Sequence, residues 1–126
     1  CLLEVKRVLR SGGRFIFSSH NARAIGIWPV LTGASPLQTI WRILRATGRT
    51  LSMAPRVLMS RAFREGVGYI VDPTHGGLDT FVSTPQSLAR EAETAGLSVA
   101  ETIDGHYPAR IPELFQPWYY YVLVKS

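Results

Sequence analysis

The chain has 126 residues, 46% of them hydrophobic, which allows at most one ordinary globular domain. Fourteen Lys and Arg, twelve of them Arg, stand against nine Asp and Glu, and the net charge of +5 raises anionic partners such as nucleic acid or a phospholipid surface. The lone Cys1 excludes an internal disulfide and a cysteine-based metal site, and the longest apolar stretch, 25–31, is too short to span a bilayer.

Leu2, Val5 and Leu9 recur at helical spacing, with Leu3 and Val8 widening the stripe, so the chain opens on an amphipathic helix. No Ser, Thr, Asp or Asn cap precedes it, which predicts that Cys1 lies inside a longer domain. Gly12-Gly13 ends this helix. Phe15-Ile16-Phe17 follows as a short apolar run, the pattern of a strand buried on both faces.

Gly26, Pro29, Gly33 and Pro36 break the next stretch. Leu37, Ile40, Trp41 and Leu44 then mark a second helix, started by Ser35-Pro36 and ended by Gly48, with Arg42, Arg45 and Arg49 on its other side. A third, weaker helix is expected from Pro55 to Arg64. Residues 22–66 together read as a helical insertion or cap. Two extended pieces, Val67–Val71 and Leu78–Val82, flank an Asp72-Pro73 turn and a Gly76-Gly77 bend and could form a loose hairpin.

The strongest local signal comes next. Thr84 is the expected N-cap, Pro85 sits at the first helical position, and Leu88, Ala92 and Ala95 form the buried stripe. Gly96 is the stop. A strand over 98–103 then places Val99, Glu101 and Ile103 on one side. After a proline-rich loop, Trp118–Val124 is a final strand rich in aromatics and Val.

In order, these elements resemble the C-terminal half of a class I S-adenosylmethionine-dependent methyltransferase. Glu4 to Phe15 (EVKRVLRSGGRF) is similar to the unit that precedes the family's fifth strand. Thr84 to Val99 (TPQSLAREAETAGLSV) resembles the late helix before its sixth, and Trp118–Lys125 its seventh. The resemblance covers about half of the chain. It implies an α/β fold: the C-terminal part of a Rossmann-like sheet (strands 5, 6 and 7), with the seventh inserted antiparallel between the other two. It also implies an incomplete domain whose N-terminal half holds S-adenosylmethionine. Gly12-Gly13 lies after a helix and before a strand, the reverse of a phosphate- or ribose-cradling loop. No cofactor-binding residue is therefore assigned in this chain, and no metal ligand is assigned because the spacing of His20, Asp72 and His75 matches no compact ligand motif.

The resemblance places His20 and Asn21 just past the carboxyl end of the fifth strand, where ligands of open α/β sheets bind. His20 could act as a general base on a small-molecule acceptor, with Asn21 touching that substrate. The simpler reading of both is a capping or loop-fixing role. Tyr69, Asp72 and His75 fall where such proteins line the acceptor pocket. Asp72 and His75 could form an acid–base pair, while Asp-Pro-Thr-His-Gly also reads as a plain turn. Trp28 is an apolar wall for the acceptor or part of a membrane-facing cap. The expected activity of the intact protein is methyl transfer to an O, N or C nucleophile, in the cytoplasm. Two further readings stand beside it: a non-catalytic partner-binding module, and a basic binder of nucleic acid or a membrane surface.

Overall fold

The computed structural model describes residues 1–29, 31, 33, 35–72 and 78–125. Helix α1 (Leu2–Val8) leads through Gly12, whose φ of 71° suits glycine, into strand β1 (Arg14–Asn21). Helices α2 (Pro36–Met59) and α3 (Arg61–Glu65) follow, then strands β2 (Val67–Asp72) and β3 (Leu78–Ser83). Helix α4 (Pro85–Thr94), strand β4 (Leu97–Asp104), a 3-10 turn at Glu113–Phe115 and strand β5 (Trp118–Lys125) complete the chain.

The five strands form one open mixed sheet in the order β2-β3-β1-β5-β4. Strand β5 runs antiparallel to both β1 and β4 and lies between them, as the resemblance implies for its seventh strand. The hairpin exceeds expectation. Its strands pair over six positions, and β3 joins the same sheet parallel to β1. That junction is short: His20 faces Val82 and Asn21 faces Ser83, and no pairing with β3 extends further toward the start of β1.

Helices α1 and α4 cover one face of the β1–β5–β4 triplet. Ala92, Leu97 and Leu123 pack there with Leu2, Val5, Leu9 and Phe15 around them, and Leu88, Tyr119 and Tyr121 continue the core beside Phe17. On the opposite face α3 covers only the hairpin end, through Ala62 against Val82 and Ala22. Over the central strands Ile16 (66% exposed) and Tyr120 (42%) look outward. Lys125 ties the two layers together. Its ammonium donates to the carbonyls of Lys6 (2.8 Å) and Leu9 (2.7 Å), a cation on the open C-terminal carbonyls of α1.

Three sequence expectations are corrected. Helix α2 does not stop at Gly48, and no new helix starts at Pro55. A capping box between Ser35 and Gln38 starts one helix of 24 residues that carries both inside it. A glycine costs a helix only about 1 kcal/mol, and Ala46 and Val57, eleven residues apart on one face, are both buried on the body of the protein. Strand β4 does not keep Val99, Glu101 and Ile103 on one side. A register shift between Val99 and Glu101 sets Val99 opposite Leu123 on the helix-covered face, and Glu101 opposite Val122 on the other. Finally, β1 is longer than the apolar run, so His20 and Asn21 are its last two residues, not loop residues beyond it.

Candidate functional site

Strands β1 and β3 are parallel, so both end at the same rim of the sheet. Alternation then decides which way each residue turns. Ser83 donates to Ser19 Oγ across the junction at 3.0 Å, while Val82 turns to the other face against Ala62. From Ser83 the chain enters α4 through a closed cap. The Ser87 amide donates to Thr84 Oγ1 and the Thr84 amide to Ser87 Oγ, and the Ser87 hydroxyl donates to the carbonyl of Gly66 at 2.5 Å.

Beside the short junction of β3 with the last two residues of β1, a cleft of about 950 Å³ opens against the second half of β1. Its floor is Phe17 to His20. Tyr69, Thr80 and Phe81 of the hairpin form one wall, and Leu2, Leu3 and Leu88 of the helices form the other. Arg90 and Glu91 stand at its rim. The cleft is thus mostly apolar, with Ser18, Ser19 and His20 at the carboxyl end of β1, His20 lying by register on the face of Val82 and Ser19 on that of Ser83. A flat or extended apolar group fits such a site, with its polar end held near His20.

His20 and Tyr69 both line this cleft, Tyr69 beside Phe81 on the α4 face of the sheet and His20 beside Val82 on the α3 face. Tyr69 stacks edge-on against Phe81, with ring centroids 5.6 Å apart. Asn21 and Trp28 are not among its lining residues. Asn21 is 2% exposed, and its amide is spent on holding the loop before β5. Its nitrogen donates to the carbonyls of Glu113 (2.8 Å) and Gln116 (3.0 Å), and its oxygen accepts from the Arg23 amide (2.9 Å). The loop-fixing alternative describes it. Trp28 packs edge-on against Phe115 at 5.5 Å, in the same loop region. The Asp72–His75 pair lies outside the described residues: His75 is not among them, and of Asp72 only the backbone, at the end of β2, is described.

Sequence reasoning missed Ser18, Ser19, Thr80 and Phe81. Only the pairing of a distant hairpin with β1 makes them neighbours, and no local pattern encodes that. It also missed the electrostatics behind the floor. Burial pushes the phenols of Tyr119 and Tyr121 up to about 12, with Glu113 and Asp104 adding to the effect at Tyr119. The buried Tyr121 hydroxyl lies near Ser83, whose influence works against the upward push of burial, yet it makes no hydrogen bond of good geometry among the described residues.

Among the described residues, the turn from β3 into α4 is not a seat for S-adenosylmethionine. Such a seat needs a glycine-rich turn from strand into helix. The direct strand-to-helix turn, Ser83-Thr84-Pro85, has no glycine, and Thr84 and Ser87 already engage its first-turn groups. Among the described residues no group of three or more His, Cys, Asp or Glu is placed to hold a metal ion, and no helix is long and apolar enough to cross a membrane. No protein-family model matches the sequence, and no curated protein and no solved structure matches the chain.

Proposed function

We propose that this chain is the C-terminal part of a Rossmann-like S-adenosylmethionine-dependent methyltransferase and supplies the acceptor side of its active site. The observation that carries the reading is the strand order. An antiparallel β5 inserted between β1 and β4, which are mutually parallel, is the arrangement implied by the Glu4–Phe15, Thr84–Val99 and Trp118–Lys125 resemblances. The unpaired edge of β1 and the uncovered Ile16 and Tyr120 add to it, since a sheet of this class is normally buried on both faces.

In this reading the cofactor, seated by residues preceding this chain, supplies an already activated methyl group. This chain positions a small-molecule acceptor carrying an O, N or C nucleophile. His20, at the carboxyl end of β1, takes the proton that the acceptor loses, and Tyr69 and Phe81 hold its apolar body. Asn21 acts as a positioning residue, keeping the loop before β5 against the end of β1.

The test is calorimetric titration of the protein expressed from its full open reading frame with S-adenosylhomocysteine. Saturable binding, unchanged in His20→Ala, supports the reading, because His20 stands on the acceptor side. Absence of binding overturns it. The open edge of β1 would then favour a module that binds its partner by strand addition.

A further inference from the structure

Helix α2 turns the wrong face outward for a helix that serves only its own core. Ala46 and Val57 are its buried residues. At 100° per residue, Leu37, Ile40, Trp41, Leu44, Leu51 and Leu58 fall within about 100° of arc on nearly the opposite side. All six are exposed, Leu37 at 80% and Leu51 at 70%. Arg45, Arg49 and Arg56 line one flank of this stripe and are exposed too. The Arg45 guanidinium lies 5.1 Å from the centre of the Trp41 ring, so cation and apolar stripe meet at the boundary.

The charge around the helix is one-sided. No Asp or Glu occurs between Glu4 and Glu65, a stretch that holds eleven of the fourteen Lys and Arg. Residues 65–126 hold eight of the nine acids. The basic character of the chain therefore belongs to the half that carries α2, where +5 for the whole understates it.

We propose that α2 lies flat in the headgroup region of an anionic lipid bilayer, with its Leu, Ile and Trp stripe in the acyl boundary and Arg45, Arg49 and Arg56 on lipid phosphates. A basic amphipathic helix with Trp and Leu on its apolar face binds in this way, and its length of about 36 Å lets every turn reach the surface at once. A second copy of the chain is a poorer occupant. Antiparallel face-to-face pairing of two such helices brings arginine flanks together, and in either orientation neither helix has an acid to answer them. A nucleic acid would meet the arginines and leave the apolar stripe in water.

The experiment is vesicle flotation of the full-length protein without cofactor, so its outcome is independent of methyl transfer. Vesicles of phosphatidylcholine alone are compared with vesicles also containing phosphatidylglycerol. Partition onto the anionic vesicles is expected to be at least ~10-fold greater, to fall about fivefold with each of Arg45→Gln, Arg49→Gln and Arg56→Gln, and to weaken with salt. Leu44→Glu is expected to abolish it, and a blue shift of tryptophan emission on binding is expected to be lost in Trp41→Phe. Circular dichroism checks that these surface variants remain folded. Equal binding to both vesicles, or none at low salt, overturns the proposal. Self-association or duplex-DNA binding in place of vesicle binding also overturns it.

Discussion

The two edges of β1 are unequally paired. Toward β5 the strand is in register over seven residues, Arg14 to His20. Toward β3 it is in register over two. In an antiparallel pair alternate residues bond to the partner, and the Asn21 amide donating to Pro117 and Gly13 accepting from Lys125 show that the odd positions face β5. Arg14, Ile16 and Ser18 therefore aim their amides and carbonyls at the open edge, where Ser18 lines the cleft. The strand is fixed along its length by one neighbour and leaves the polar groups of Arg14, Ile16 and Ser18 unpaired by β3.

The largest effect should separate the two faces of this strand pair. Leu123→Ala, in the packed layer under α1 and α4, is expected to cost about 2–5 kcal/mol. Ile16→Ala, on the uncovered face, should cost about 0.5 kcal/mol. Urea midpoints of the two variants test this, and equal losses would mean that Ile16 is covered in solution.

Amide exchange sharpens the contrast along the strand itself. Phe15, Phe17 and Ser19 should be protected, and Arg14, Ile16 and Ser18 should exchange about 100-fold faster. Slow exchange at all six positions in the full-length protein would instead show that a further strand fills the edge.

The smallest effect lies in β5. Burial raises the phenols of Tyr119 and Tyr121 from 10.0 to about 12, so the folded state holds these protons more tightly than the unfolded chain. Their contribution to stability is full below pH 10 and falls as pH rises from 10 toward 12. An absorbance titration near pH 11 should find these two of the five tyrosines still protonated while the fold persists. Five equivalent tyrosines would break the picture of β5 as the sealed side of the sheet.

The parts of the fold legible in the sequence are those that local chemistry decides. Thr84, Pro85 and Gly96 fix the ends of α4 unaided, and Leu88, Ala92 and Ala95 are buried as their spacing requires. Gly48 and Pro55 misled for the same reason: each is a local stop signal, and the anchoring of Ala46 and Val57 outweighs both. The bulge in β4, the junction of the hairpin with β1 and the hold of Asn21 on 113–117 are contacts between distant residues, invisible to any window of sequence. Of the site, His20 and Tyr69 were legible through their place in the order of elements. The role of Asn21 was not, because a buried amide and a substrate-facing one are the same letter.

The position of β5 has a consequence for synthesis. It follows every other strand in the sequence, yet it lies inside the sheet, and Lys125 reaches back across 119 residues to Lys6. A ribosome releases β1 and β4 before the strand that joins them. Until β5 emerges, Phe15, Phe17, Leu97 and Val99 lack the wall on which they pack, and two strand edges stand open together. The chain is therefore most exposed to misassociation in the interval between the release of β4 and that of β5, which is when a holding chaperone would matter most.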